Sequence, residues 1–305
     1  MFQTPKTLIE EKERERRKTS DKEEILPSEV NLLLLPFFSL SKEDASKKEG
    51  LEYRKSVTRN GRTEEVVWKV SASEEYGYPG TYDKKVFKAV EELLNKRGYP
   101  VDDPVTFSVY KLLKLMGVEN IGGTDYRRVK ESIERLVATT INSKGTFYHK
   151  GKKKYLNEVF HLFSRVIFTG EKLQNGVEAE KNHLYLNSWL LDNLNQYYTR
   201  PLDYNFYRSL DGDIAKRLYE LLGVKFYGLI NNGKPYLRYK YENLCKLLPL
   251  KKQDYLSKAK QIFAPAHEEL KSKNFLQKSR WNDSTSNSTY ITYYPGIKAR
   301  SESDQ

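Results

Sequence analysis

The chain has 305 residues, enough for two domains of ordinary size, each with its own core. Lys and Arg number 53 against 41 Asp and Glu, for a formal charge of +12, and 38% of residues are hydrophobic. That balance excludes a wholly disordered chain and favours a polyanionic partner, with nucleic acid ahead of an anionic membrane surface.

Residues 1–25 alternate in charge, as in Glu11-Lys12-Glu13-Arg14-Glu15-Arg16-Arg17, and lack the apolar stretch of a signal peptide. They are expected to form a charged arm, disordered or a frayed helix, on a cytoplasmic protein. The longest apolar run, Asn31–Leu40, is too short to span a bilayer, and a strand is expected over Val30–Phe38. Arg59-Asn60-Gly61-Arg62 carries the Asn-Gly pair of a two-residue hairpin, flanked by alternating segments with Val66, Trp68 and Val70 on one face. From Thr81 the period becomes helical, with Val86, Phe87, Val90, Leu93 and Leu94 on one stripe that ends at Gly98. A second helix follows Thr106 or Ser108 and stops at Gly117. A third starts at the capping pair Thr124-Asp125 and buries Tyr126, Val129, Ile133, Leu136 and Val137. Strands Thr140–Tyr148 and Tyr155–Phe168 then flank a lysine-rich tip.

Asn187 or Ser188 caps a helix running through Tyr198 that is expected to join two units. The order recurs after Pro201: a helix over Asp213–Lys225, a short strand near Pro235–Tyr239, and a short helix over Tyr241–Leu248. A longer helix over Lys252–Lys271, with Tyr255 inward and a kink or local break at Pro265, precedes a hairpin of Phe275–Trp281 with Thr289–Tyr294. The lone Cys245 excludes an intramolecular disulfide and a zinc site of paired cysteines; it fits a reducing cytosol and a place in the core. The expected fold class is α+β, with two winged-helix domains behind the arm. The expected boundaries are 1–25 for the arm, 26–182 and 201–305 for the domains, and 183–200 for a linking strand and helix.

With Ile133 inward, the third helix turns Thr124, Arg127, Glu131, Glu134 and Arg135 outward, with Arg128 beside them. Arginines near a helix start suit bidentate contact with guanine or with phosphate. The same pattern suits a solvated face laced by i,i+4 ion pairs. On the later helix Gln253, Ser257, Lys260 and Gln261 face out, with Lys251, Lys252 and Lys258 near its start and no acid from Tyr255 to His267. A face without compensating acids fits a phosphate backbone better than a mixed one. Lys150, Lys152, Lys153 and Lys154 occupy the first hairpin tip, expected to be a mobile wing that meets phosphates, although a lysine-rich tip also serves solubility.

Signals for catalysis are poor. Gly122-Gly123-Thr124 lacks the frame of a P-loop, and His149, His161, His183 and His267 have no metal-binding spacing. Asp211 and Asp213 suit helix capping better than a metal pair, and no histidine pair accompanies the 23 tyrosines for DNA nicking. No catalytic residue, metal or cofactor is expected.

Leu26-Pro27-Ser28-Glu29-Val30-Asn31-Leu32, Pro36-Phe37-Phe38-Ser39-Leu40, Tyr76-Gly77-Tyr78-Pro79, Phe160-His161-Leu162-Phe163 and Asp213-Ile214-Ala215-Lys216-Arg217-Leu218-Tyr219-Glu220-Leu221-Leu222 resemble the replication initiator protein A family of plasmids and phages. The likeness spans about Leu26 to Leu270; more distantly, the chain is similar to iteron-binding initiators with paired winged helices. The resemblance implies binding to repeated duplex sites in a replication origin, local opening, and recruitment of host helicase and primase. It also implies dimers that repress their own promoter and monomers that bind the origin repeats. Lys216-Arg217 lies in the matching stretch, where a phosphate contact and a plain surface helix suit the pair equally. A winged-helix repressor or partition protein would use the same DNA chemistry without origin opening.

Overall fold

The computed structural model describes residues 24–40, 50–59, 61–173, 175–283 and 288–303. Residues 1–23 of the charged arm lie outside the described residues, as do Asn60 of the expected hairpin turn and residues 284–287 of the second tip, while Ile25, placed in the arm, opens the first strand.

The first element is β1 (Ile25–Glu29), followed at once by the short helix α1 (Val30–Leu34). The strand expected over Val30–Phe38 is therefore displaced. The Glu29 carboxylate accepts from the Leu32 backbone N–H at 2.9 Å and starts a helix where apolar content alone suggested extension. Strands β2 (Gly50–Arg59) and β3 (Arg62–Ser71) form the expected hairpin, with Gly61 at φ +75 supplying the left-handed residue of the turn. Helix α2 (Thr81–Arg97) buries the predicted stripe, and Asp83 accepts from the Gly80 N–H at its start. After β4 (Val105–Phe107), Ser108 caps α3 (Val109–Leu115) by accepting from Lys111 N–H at 3.0 Å.

Helix α4 (Gly123–Ala138) is capped at Gly122, so Thr124 and Asp125 lie inside its first turn; Tyr126, expected inward, is 37% exposed. The hairpin of β5 (Thr140–His149) and β6 (Lys154–His161) completes a sheet of order β2-β3-β5-β6. The single strand expected over Tyr155–Phe168 divides at Leu162. Its second part, β7 (Phe163–Ile167), joins a separate sheet of order β4-β8-β7 with β8 (Asn182–Leu186). Residues 183–200, expected as a link, supply β8, α5 (Ser188–Asn195) and the start of β9 (Thr199–Asp203); Leu184, Leu186, Leu190 and Leu194 all belong to the first core.

Strand β9 pairs antiparallel with β1, Leu26 opposite Leu202, so the start of the described chain is stitched to its middle. Then come α6 (Tyr204–Ser209), α7 (Asp213–Asn231), β10 (Leu237–Lys240) and α8 (Tyr241–Leu247). Helix α9 (Leu256–Ser272) contains Pro265 without ending there. The strands β11 (Leu276–Asp283) and β12 (Thr289–Pro295) pair with β10 in the order β10-β12-β11, and α10 (Ile297–Ser301) closes the fold.

Among the described residues, one apolar cluster gathers residues from Leu35 to Leu194, and a second gathers Leu26 with residues from Leu202 to Ala299. A buried charged seam lies where α2 meets α7. Lys84 Nζ is 2.6 Å from a Glu220 oxygen, Lys88 Nζ 2.7 Å from Glu91, and Arg217 is 5% exposed. The Arg217 guanidinium donates to the carbonyls of Leu33, Leu35 and Leu247, so one side chain ties α1 and α8 to α7. Burial pushes Lys84 down to about 8. Burial also opposes ionisation of Glu220, but the surrounding Lys84, Lys88 and Arg217 outweigh it and keep its carboxyl below the usual range. Several segments that carry the family resemblance surround this seam: Ser28, Glu29 and Asn31 are buried beside it, and Phe37 and Phe38 line it with Glu220. Those motifs hold the molecule together.

Candidate nucleic-acid interface

Helix α4 presents Thr124, Arg127, Arg128 and Glu131 on one exposed face because Val129, Ser132, Ile133 and Leu136 turn inward at helical spacing. Arg127 Nε lies 3.6 Å from Glu131, and its side chain is 73% exposed. An exposed pair of that kind contributes a few tenths of a kcal/mol, about 0.3–0.5, and leaves the guanidinium available. The Arg128 guanidinium stacks over the Tyr82 ring at 3.9 Å. Arg135 departs from the expected outward group. It donates to the Tyr76 carbonyl and pairs with the nearly buried Asp83 at 2.7 Å, so it clamps α4 to α2.

Lys150, Lys152, Lys153 and Lys154 are all exposed at the β5–β6 turn. The turn is not a free wing. Lys150 N–H donates to Asn193 Oδ1 at 2.9 Å, and Lys152 N–H donates to His149 Nδ1 at 2.9 Å. Lys152 Nζ sits 4.0 Å over the Trp189 ring, and a side chain at Gly151 would strike Gln196. The tip is thus docked on α5, which fixes where its cations stand.

In the second cluster Ser257, Lys258, Lys260 and Gln261 lie exposed on α9. Lys251, Lys252 and Gln253 precede that helix, which begins only at Leu256. They form a loop in which Gln253 N–H donates to Tyr241 Oη at 3.1 Å. Tyr255, expected inside, caps the helix start and is 77% exposed. The candidate residues therefore fall into two groups on different cores, α4 with the β5–β6 tip and α9 with the loop before it.

Arg217, the other suggested phosphate contact, is committed to the seam. His267 is buried with Nε2 3.0 Å from Tyr293 Oη, and burial pushes it down to about 4. Among the described residues no helix is long and apolar enough to cross a membrane. Sequence reasoning passed over one cationic surface, the outer face of β10-β12-β11, where Arg238, Lys278 and Arg280 accompany tyrosines. The alternation of 278–282 and 290–294 was its signal.

A solved structure of domains 2 and 3 of RctB is similar to this chain at 12% identity and a TM-score of 0.47, covering 85% of this chain and 95% of that one. No curated protein matches. The model of the family described as replication initiator protein A matches residues 28–227, about two thirds of the 305 residues, and the chain belongs to that family.

Proposed function

We propose that this chain is an origin-binding initiator that grips repeated duplex sites through two winged-helix units. One unit comprises α2, α3, α4 and the hairpin β5–β6; the other comprises α7, α8, α9 and the hairpin β11–β12. The observation that carries the proposal is that each unit's third helix turns an exposed polar and cationic face outward, in a chain of a replication initiator family. In this reading Arg127 and the Ser257–Gln261 face meet base edges, while Lys150, Lys153, Lys154, Lys251 and Lys252 meet phosphates. Arg135 is assigned to structure.

Opening of the duplex and recruitment of host helicase and primase follow as steps of an initiator without a motor of its own, and dimers would act at the promoter. The reading assigns the chain no catalytic step and no cofactor. The test is replication, in a permissive host, of a plasmid carrying only this gene and its flanking repeats. Maintenance that is lost when the repeats are deleted supports initiation. Specific repeat binding without maintenance would make the chain a repressor or partition protein. Relaxation of supercoiled DNA by the purified chain with Mg²⁺ would overturn the absence of catalysis.

A further inference from the structure

The sheet β10-β12-β11 has two unlike faces. Tyr239, Trp281, Ile291 and Tyr293 turn into the second core. The pairing register sets Arg238 and Arg280 on either side of Thr292, Lys240 and Asn282 on either side of Tyr290, and Lys278 beside Tyr294 on the opposite face. Tyr236, 46% exposed just before β10, brings its ring within 5.5 Å of the Tyr294 ring. Arg238 lies 4.2 Å over the Tyr290 ring, and Lys278 lies 4.3 Å over that of Tyr294. Of the four cations only Lys240 has an acidic partner among the described residues, Glu242 at 3.8 Å.

A solvated sheet face ordinarily mixes both signs of charge. This one combines unpaired cations with three tyrosine rings and, among the described residues, carries no Asp or Glu. Duplex DNA would use the cations but offers its bases stacked edge-out, leaving the rings without a partner. A single strand presents phosphates and free base faces together. We propose that the outer face of β10-β12-β11 binds single-stranded nucleic acid, with Tyr236, Tyr290 and Tyr294 stacking bases and Arg238, Lys278 and Arg280 holding phosphates. This site goes beyond the duplex-binding proposal and does not require it.

The test measures fluorescence anisotropy of the full chain with labelled oligothymidylate, oligouridylate and a duplex origin repeat. Wild type is expected to bind at least one single strand, and the two arms separate DNA from RNA. Tyr290→Ala or Tyr294→Ala should weaken single-strand binding roughly tenfold, while Tyr294→Phe stays within about twofold, since stacking needs the ring and not the hydroxyl. Duplex affinity should not move. Tyr236→Ala and Arg280→Ala, at exposed positions, give the same comparison if a central-strand variant fails to fold. Failure of wild type to bind either single strand would overturn the proposal. So would equal losses on single strand and duplex, or single-strand affinity unchanged by the alanine variants. A wild-type chain that binds a single strand but not the duplex repeat would count against the duplex proposal instead.

Discussion

Glu29 is a carboxylate at the meeting point of β1, α1 and α5. It accepts from Leu32 N–H, from Asn31 Nδ2 at 2.6 Å and from Asn193 Nδ2 at 2.9 Å. Burial outweighs these donors and raises its pKa from 4.5 to about 7. Between those values the folded chain holds a proton that the unfolded chain has released. The stability tied to this group is thus fully present below about 4.5 and lost as pH rises through 7. The shift corresponds to something on the order of 3 kcal/mol. Glu29→Gln removes the titration. Urea midpoints of wild type should fall between about pH 5 and pH 8 more steeply than those of the variant; parallel slopes would show that Glu29 does not titrate in this window. Arg217 shows the limit of spacing at this scale. It lies three residues after Ile214 and four before Leu221, yet its charge reads as a phosphate contact or a surface residue, whereas it is 5% exposed. The carbonyls of Leu33 and Leu35 that receive it come from far along the chain, beyond the reach of any local pattern.

Helices with strong apolar spacing were legible: α2, α3 and α7 begin where their caps and periods placed them, the β2–β3 hairpin pairs as its alternation implied, and the β5–β6 strands meet around the expected cationic tip. Three features were hidden for physical reasons. The α1 turn depends on one capping carboxylate within an apolar run. The break at Leu162 depends on which sheet each half can join, and the β1–β9 ladder pairs residues as far apart as Ile25 and Asp203. For the candidate site, outward faces could be read from the helical wheel, but not the reach of Arg135 to Asp83 or the docking of the tip on α5. Those fixed positions sharpen the division of labour between α4 and the tip. Arg127→Ala is expected to lose roughly 1–3 kcal/mol of discrimination at one base pair of an origin repeat. Lys153→Ala should weaken repeat and unrelated duplex alike and reduce the salt slope by about 1. Competition binding against a panel of single-base variants of the repeat measures both. A uniform loss with Arg127→Ala would move that residue to the phosphate-contacting group.

At the scale of the molecule, the excess of cations and the coupling of the two cores act together. The +12 charge predicts that duplex affinity falls by roughly 10³–10⁵ between about 50 and 200 mM salt if some 6–10 phosphates are neutralised. Charge alone, however, does not dictate how the two cation groups are spaced on DNA. The β1–β9 ladder, the Arg217 clamp and the Lys84–Glu220 pair tie the first core to the second through buried contacts, not through a slack tether. Two modules held at a fixed span reinforce each other only on a site whose geometry matches that span. On one face of B-DNA the matching distance between successive major grooves is one turn, ~34 Å. Chemical footprinting of the full chain on a single repeat should therefore show two protected major grooves about one turn apart. Neutralising the second group, with Lys258→Ala and Lys260→Ala together, should leave the groove contacted by α4 protected and weaken the other. Protection of a single groove by the wild-type chain, or an unchanged pattern in the double variant, would assign the α9 face to contact with protein and not with DNA.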